Sequence, residues 1–529
     1  MLLIVHFDWI AGQRSGDGSV IKTILVRCEL KSDFYCFGKQ QESSFRNCMF
    51  NNLPKIPLVY FSKFEVQDKC GRMYKTTFLL SAFILVVSLA AFNTGEPGEK
   101  PVFIPASEQR QGDAEQGYRY LTTGDFLKSG FPYDFFVFAN GKGKNYLGRE
   151  GKNANVDQGF NVVTNTDSLD VVIPTCLQCH SQVFEGKLIV GLGNAGIDFT
   201  DMVKRAKKLA LLKQWQLTSP AKYRAVKSLL NTMNTVDPLM ETEVQGVNSA
   251  DRLAAVLAAH RDPVTLKWSD TAMLELPAGV VPTDAPAWWL LKKKNAMFYN
   301  GFGRGDFSKF LMMSNMLTVT DTIEAGEVYG HFGDVLAYIR SLNPPPYPYP
   351  VNKELAEQGR AVFNQTCKGC HGTYGSDGAY PNLLVPGSII KTDSMLYQAN
   401  QQAKPFLDWF NKSWYAQGPN AAALVPGNGY VAPPLDGVWI TAPYLHNGSV
   451  PTIEAVLNSK LRPTYWTRDF DKPEYDYEYL GWKYETRTQP EGRKVYNTTL
   501  PGYGNYGHYF GDKLSDAERK AVIEYLKTL

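Results

Sequence analysis

The chain has 529 residues, 44% of them apolar, with a net charge of +3. That length allows two to four domains, and the apolar share is enough to build real cores. The near balance of charge argues against a nucleic-acid partner, which calls for a basic surplus.

Residues 1–72 lack clear periodicity and hold Cys28, Cys36, Cys48 and Cys70. At Met73 the pattern changes. Arg72 and Lys75 precede an apolar run from Phe78 to Phe92 that ends in Ser88-Leu-Ala-Ala91. A positive start, a short apolar stretch and small residues at its end form a secretory signal. The run is short for a spanning helix. Because a signal does not tolerate a long leader, translation is expected to start at Met73. Residues 1–72 are then a misassigned leader and 73–92 the signal peptide. The product is expected to be periplasmic or secreted, either free or anchored by an uncleaved N-terminal segment.

Residues 93–117 are polar, with Gly, Pro and Glu, and read as a flexible lead-in. Helices are expected over Lys204–Leu212, Ala221–Leu230 and Ser249–His260, the last capped by Asn248 or Ser249. The stretch Asn343-Pro-Pro-Pro-Tyr-Pro-Tyr-Pro350 reads as a stiff linker over 344–350, dividing 118–343 from 351–529. After it, Glu354–Phe363 has helical spacing and places Gly359, Phe363 and Cys367 on one face, where the glycine permits close helix crossing. Residues 418–447 are loop-rich. The two halves end alike: Val335-Leu-Ala-Tyr338-Ile-Arg-Ser-Leu342 matches Val522-Ile-Glu-Tyr525-Leu-Lys-Thr-Leu529 in character. Gly330-His331-Phe-Gly-Asp334 likewise echoes Gly507-His508-Tyr-Phe-Gly-Asp512. Each half is therefore expected to close on an amphipathic helix, the second with a capping box in Ser515-Asp-Ala-Glu518.

Each half also carries one copy of a short string, Cys176-Leu-Gln-Cys179-His180 and Cys367-Lys-Gly-Cys370-His371. C-x-x-C-H is the attachment signal for c-type haem: both thiols add to the haem vinyl groups and the histidine supplies an imidazole to iron. These four are the only cysteines beyond residue 72. A zinc ribbon would need two knuckles close in sequence, and a redox dithiol needs no adjacent histidine. The expected cofactors are two covalently bound haem c groups. Export agrees, since covalent haem attachment occurs on the outer side of the bacterial cytoplasmic membrane. The expected fold is mainly α: two cytochrome c-type haem domains, the first enlarged by extra helices and loops.

The run Trp439-Ile-Thr-Ala-Pro-Tyr444-Leu-His446-Asn-Gly-Ser-Val-Pro-Thr-Ile453 resembles a hallmark of dihaem cytochrome c peroxidases and the related maturation enzyme of methylamine dehydrogenase. A fuller resemblance is to the rubber-oxygenase-like dihaem cytochromes. It includes Pro286-Ala-Trp288-Trp289, the segment from Lys292 to Asp306, Tyr380-Pro-Asn-Leu-Leu-Val-Pro386 and the closing Gly-His508 segment. The resemblance implies one haem saturated by two histidines, which passes electrons, and another that keeps an open face for dioxygen or peroxide.

On that basis the reactive haem is expected at His180, as the catalytic iron ligand. The peroxidase relatives often have a ligating methionine between Tyr444 and His446; here Leu445 cannot coordinate. His508, in the loop Gly502-Tyr-Gly-Asn-Tyr-Gly507, is expected to join His371 on the second iron. His446 is expected to orient the second haem or a propionate, or else to fix a turn. Trp288 and Trp289 either bridge the haems or serve as core aromatics. His331 is either the counterpart of His508 or a helix-entry residue, and His260 either suits a helix C-terminus or belongs to a distal pocket. Lys292–Lys294 read as a solvated face, and Arg304 and Asp306 as holding a propionate or each other. The implied function is dioxygen or peroxide chemistry with a redox partner or small electron donor, on an unsaturated apolar substrate or on peroxide itself. The alternative is an electron carrier with both irons six-coordinate.

Overall fold

Two helix crossings frame the computed structural model. In the first, helix Ala114–Thr123 packs on helix Thr322–Ser341. In the second, helix Lys353–Thr366 packs on helix Asp516–Leu526. The same device lets both pairs touch. A Cβ added at Gly117 would sit 1.9 Å from the Asp334 carbonyl oxygen, and one at Gly359 would sit 1.9 Å from that of Ala521. Side-chain oxygens cap all four helix starts, from Asp113, Asp321, Asn352 and Ser515, the last in a capping box with Glu518. The buried face of the long helix, Ala325, Val328, Phe332, Val335, Leu336 and Ile339, has three- and four-residue spacing.

The structure describes residues 99–529, apart from 205–208, 210 and 277–278, together with the backbone of strands Leu2–Ile10 and Thr23–Lys31. Those two strands pair antiparallel within a separate unit, 1–98. The signal segment 73–92 and the rest of the leader lie outside the described residues, as does the centre of the helix expected at Lys204–Leu212. No helix among the described residues is long and apolar enough to cross a membrane.

Residues 99–529 form one unit, within which a division into two domains at 344–350 is not distinguished. One apolar core joins Phe126, Ile173, Trp288 and Phe332 to Trp409, Phe410 and Tyr415; a second joins Phe184 and Trp289 to Trp439, Ile453 and Val522. The proline-rich stretch lies against that second core. Pro345 accepts a hydrogen bond from Trp439 Nε1 at 2.9 Å, and Tyr347 donates to the Tyr477 carbonyl at 2.9 Å. A stiff extended segment can pack as readily as it can span.

From residue 99 on, the stretch read as a lead-in packs against the body. Val102–Phe103 pairs with the strand Leu383–Pro386, Ile104 is buried, and the first helix starts at Ala114. The structure is helix-rich, but strands flank the short 3-10 turn of the first C-x-x-C-H motif. There, strands Phe160–Thr164 and Asp170–Pro174 form a hairpin whose fully buried Val171, Val172 and Ile173 lead into Cys176. Strands Ser181–Phe184 and Lys187–Val190 follow it. Helices Pro220–Val236 and Ala250–Ala259 lie where sequence spacing put them; the second is capped by Asn248 Oδ1, which accepts from Ala250 N at 2.7 Å.

Candidate cofactor site

The two C-x-x-C-H strings adopt the same turn despite different approaches, a β-hairpin in one case and a helix in the other. Cys179 N and Cys370 N donate to the carbonyls of Cys176 and Cys367 at 3.3 and 3.2 Å. His180 N and His371 N donate to the same two carbonyls at 3.0 and 3.1 Å. All four cysteines are free thiols. Burial pushes all four up, those of Cys179 and Cys367 to about 11. A reactive dithiol needs the opposite shift, so this environment does not mark a redox pair. No cluster of three or more potential ligands suited to a metal ion occurs among the described residues.

At the second motif, His371 Nδ1 donates to the Pro433 carbonyl at 2.8 Å, which leaves Nε2 unprotonated and able to ligate. Tyr374 O–H donates to the His371 carbonyl at 3.0 Å. His508 faces this ring, with centroids 6.1 Å apart and planes at 63°. Two metal–imidazole bonds of about 2 Å, with about 1.1 Å from each nitrogen to its ring centre, would set centroids about 6.2 Å apart. His508 is held in a left-handed conformation, φ 49°. Its N–H donates to Ile390 O at 2.7 Å, while Arg462 Nη1 donates to the carbonyls of Asn505 and Gly507 at 2.7 Å each. Burial, then the neighbouring His371 and Arg462, hold the His508 imidazole down to about 3. Burial also lowers His371. Both rings are thus neutral at ordinary pH, the state that binds iron. His508 Nδ1 is buried without a hydrogen-bond partner.

At the first motif, His180 stacks on Trp288, centroids 4.7 Å apart and planes at 21°. The Pro286 carbonyl raises the basicity of the ring as Pro433 does for His371, but the larger effect is burial, which lowers it to about 4. No hydrogen bond of full geometry closes on His180 Nδ1. No second histidine faces this ring among the described residues. Ser314 Oγ lies 3.8 Å from Cys176 Sγ, and Asn248 bonds Cys179.

A cavity of about 390 Å³ runs between the two motifs, with His180, His371, His508 and His446 in its walls. Its lining is mainly apolar, including Leu291, Phe298, Val385, Ile453 and Val522, as a flat apolar macrocycle requires. Neutral imidazoles, paired thiols one residue from a histidine and an apolar wall together fit haem c.

The remaining expected residues fall in different places. His446 is in the cavity wall, stacked on Tyr430 at 4.2 Å with Nε2 3.0 Å from the Tyr430 hydroxyl. Its carbonyl accepts from Asp284 N at 2.8 Å. Trp289 is buried away from the cavity and donates to Asp436 O at 2.8 Å. His331 is exposed in the interior of its helix, stacked on Tyr120 at 4.2 Å; it neither enters a helix nor mirrors His508. His260 is a buried helix cap whose Nδ1 meets Ser269 O at 2.9 Å, a structural role outside the cavity.

Lys292–Lys294 do not form a solvated face. Lys292 Nζ donates to Leu342 O and Asn343 Oδ1, Lys293 pairs with Asp436 at 2.7 Å, and Lys294 lines the cavity. Arg304 and Asp306 do not hold each other: Asp306 caps a helix and accepts from Tyr329 O–H at 2.6 Å, while Arg304 Nη1 has no partner.

Sequence reading missed Asp284, Tyr299 and Asp251. Tyr299 O–H donates to Asp284 Oδ2 at 3.2 Å, and burial pushes Asp284 up to about 7 and Asp251 up to about 6. Nothing local distinguishes these carboxylates from surface ones. Pro286 and Pro433 were equally hidden, because they act through their carbonyls.

A RoxA-like, cytochrome c-like family model matches residues 429–467. That span includes Pro433, Val438 and His446 of the cavity wall and implies haem c. The chain is 32% identical over 253 residues to the uncharacterized protein y4iJ of Sinorhizobium fredii, a match covering 36% of this chain and 41% of that one. It is 26% identical over 296 residues to the uncharacterized protein y4iM of the same organism, covering 48% of this chain and 66% of that one. The chain thus spans less than half of the first relative and about two thirds of the second. The chain is thus similar to a RoxA-like c-type cytochrome in the segment that carries His446.

Proposed function

We propose that this chain is an exported dihaem c-type cytochrome oxidoreductase, with an open-face haem on Cys176, Cys179 and His180 and a bis-histidine haem on Cys367, Cys370, His371 and His508. The carrying observation is the asymmetry of two otherwise matching turns. A second imidazole faces His371 with ring centroids 6.1 Å apart, whereas among the described residues the ring stacked on His180 is that of Trp288, not a second histidine. When bound, haem supplies an iron able to take dioxygen or peroxide and to exchange electrons. The protein's part is to present neutral ligands, exclude water and fix distance.

His180 is the catalytic ligand in this reading. Trp288, stacked on it and lining the shared cavity, is the residue best placed to couple the two sites electronically. His446 and Tyr430 brace the wall near the second haem. A redox partner or small electron donor would reduce the second haem, and the oxidised substrate would be peroxide or an unsaturated apolar molecule.

Optical and spin-resonance spectra of the purified ferric protein test the reading. The expected result is one high-spin and one low-spin haem. Two low-spin bis-histidine signals would instead establish the electron carrier. Turnover with peroxide and a reduced donor, beside oxygen uptake with unsaturated isoprenoids, separates the two catalytic outcomes.

A further inference from the structure

Among the described residues, Lys294 is the one lysine or arginine in the wall of the cavity. It ends the turn Trp288–Lys293, so the same short segment that sets Trp288 on His180 delivers an ammonium group to the space between the motifs. Its two neighbours are accounted for by Asp436, Leu342 and Asn343. Lys294 is not: Nζ donates to the Phe298 carbonyl at 3.2 Å, and no carboxylate among the described residues forms an ion pair with it. An ammonium carries three donors, and one in an apolar wall with a single neutral acceptor is costly unless an anion completes it. Burial accordingly lowers its proton affinity to about 8, with no acidic neighbour opposing that shift. The acids that share the cavity are otherwise engaged or set apart: Asp436 with Lys293, Asp284 with Tyr299, Asp251 with Asn400.

We propose that Lys294 is the positioning residue for a haem propionate, its ammonium pairing with one carboxylate of a macrocycle held in this cavity. The inference rests on the dihaem reading above. Each haem c brings two carboxylates, and a cavity with one basic side chain can neutralise only one of the four directly. The paired haem is therefore tied to the segment that carries Trp288, and its oxidation state is electrostatically coupled to that segment. A cation beside a propionate favours the ferrous form, so removing it should make that haem harder to reduce.

The test is spectroelectrochemical titration of the whole protein and of Lys294→Gln and Lys294→Arg variants, each first shown by mass to hold two haems. Lys294→Gln is expected to raise the ferric-to-ferrous ratio of one haem about tenfold at a fixed potential, a downward shift of about 59 mV for one electron, and to leave the other haem unmoved. Lys294→Arg is expected to keep both potentials near their starting values. The low-spin or high-spin band that shifts identifies which haem is held. Unchanged potentials in Lys294→Gln overturn the inference and leave the dihaem reading intact. Equal shifts in the Gln and Arg variants also overturn it, since they would reflect packing and not charge. Unchanged potentials with a weakened substrate KM would assign Lys294 to a substrate carboxylate instead. A wild-type mass lacking two haem increments would defeat the parent reading first.

Discussion

Gly330-His331-Phe-Gly-Asp334 and Gly507-His508-Tyr-Phe-Gly-Asp512 echo each other in sequence near the two closing helices, yet their histidines do different things. In the first half the helix starts early, at Thr322 behind the Asp321 cap, and absorbs His331 onto its exposed surface. In the second half the helix starts at Asp516 behind Ser515, so His508 stays in the preceding loop, left-handed and aimed toward His371. The segment before His331 contains Ile-Glu-Ala-Gly-Glu-Val-Tyr, mostly good helix material. The one before His508 has three glycines within six residues and holds its conformation through Arg462. Where the helix begins thus decides whether a histidine can face the ring of a C-x-x-C-H motif, and under the proposed dihaem reading that one-sided result is what would make the two sites unequal.

The largest expected effect separates the halves outright. Replacing Cys176 and Cys179 by alanine should remove one haem increment from the mass and half the haemochrome absorbance. Replacing Cys367 and Cys370 should remove the other; a variant pair losing none, or both, would break the symmetry of the two turns. Next, His508→Ala should convert the low-spin haem to high-spin while His331→Ala leaves both spectra unchanged. An unchanged spectrum in His508→Ala would discard that residue as a ligand.

The helix crossings are expected to respond alike. Gly117→Ala and Gly359→Ala each force a Cβ against a backbone carbonyl and should each cost about 1–3 kcal/mol in denaturant unfolding. A neutral result at either position would show that crossing to be loose.

The effect that is smallest at neutral pH is a slope on the acid side. Burial holds His446 down to about 3, from an ordinary value of 6.5. The unfolded chain therefore binds a proton that the fold refuses. Stability from this group is intact above pH 6.5 and falls by about 1.4 kcal/mol per pH unit below it, until the folded value near 3 is reached. Comparing His446→Gln with the parent protein should show a flatter acid limb in the variant; parallel limbs would contradict the burial of a neutral ring.

Much of the frame was legible in the residues. Apolar spacing marked the closing helices, Ser515 and Glu518 their cap, and Gly359 the close crossing. The corresponding Gly117 was missed because the polar residues around it read as a lead-in, and polarity alone does not distinguish a loose segment from one hydrogen-bonded along a surface. The lysines 292–294 were misread for a related reason: a run of charges looks solvated until the partners, Asp436 and the Leu342 carbonyl among them, are known.

The sequence by itself determined the C-x-x-C-H turn, since it closes through bonds between residues three and four apart, and no distant residue is needed to form it. Tertiary structure alone decided which imidazole meets which. His371 and His508 lie far apart along the chain, as do His180 and the Trp288 that stacks on it, and these approaches depend on helix starts, glycine crossings and backbone carbonyls. Local spacing can specify a turn, but the open or closed face of an iron site is a property of what folding brings to its far side.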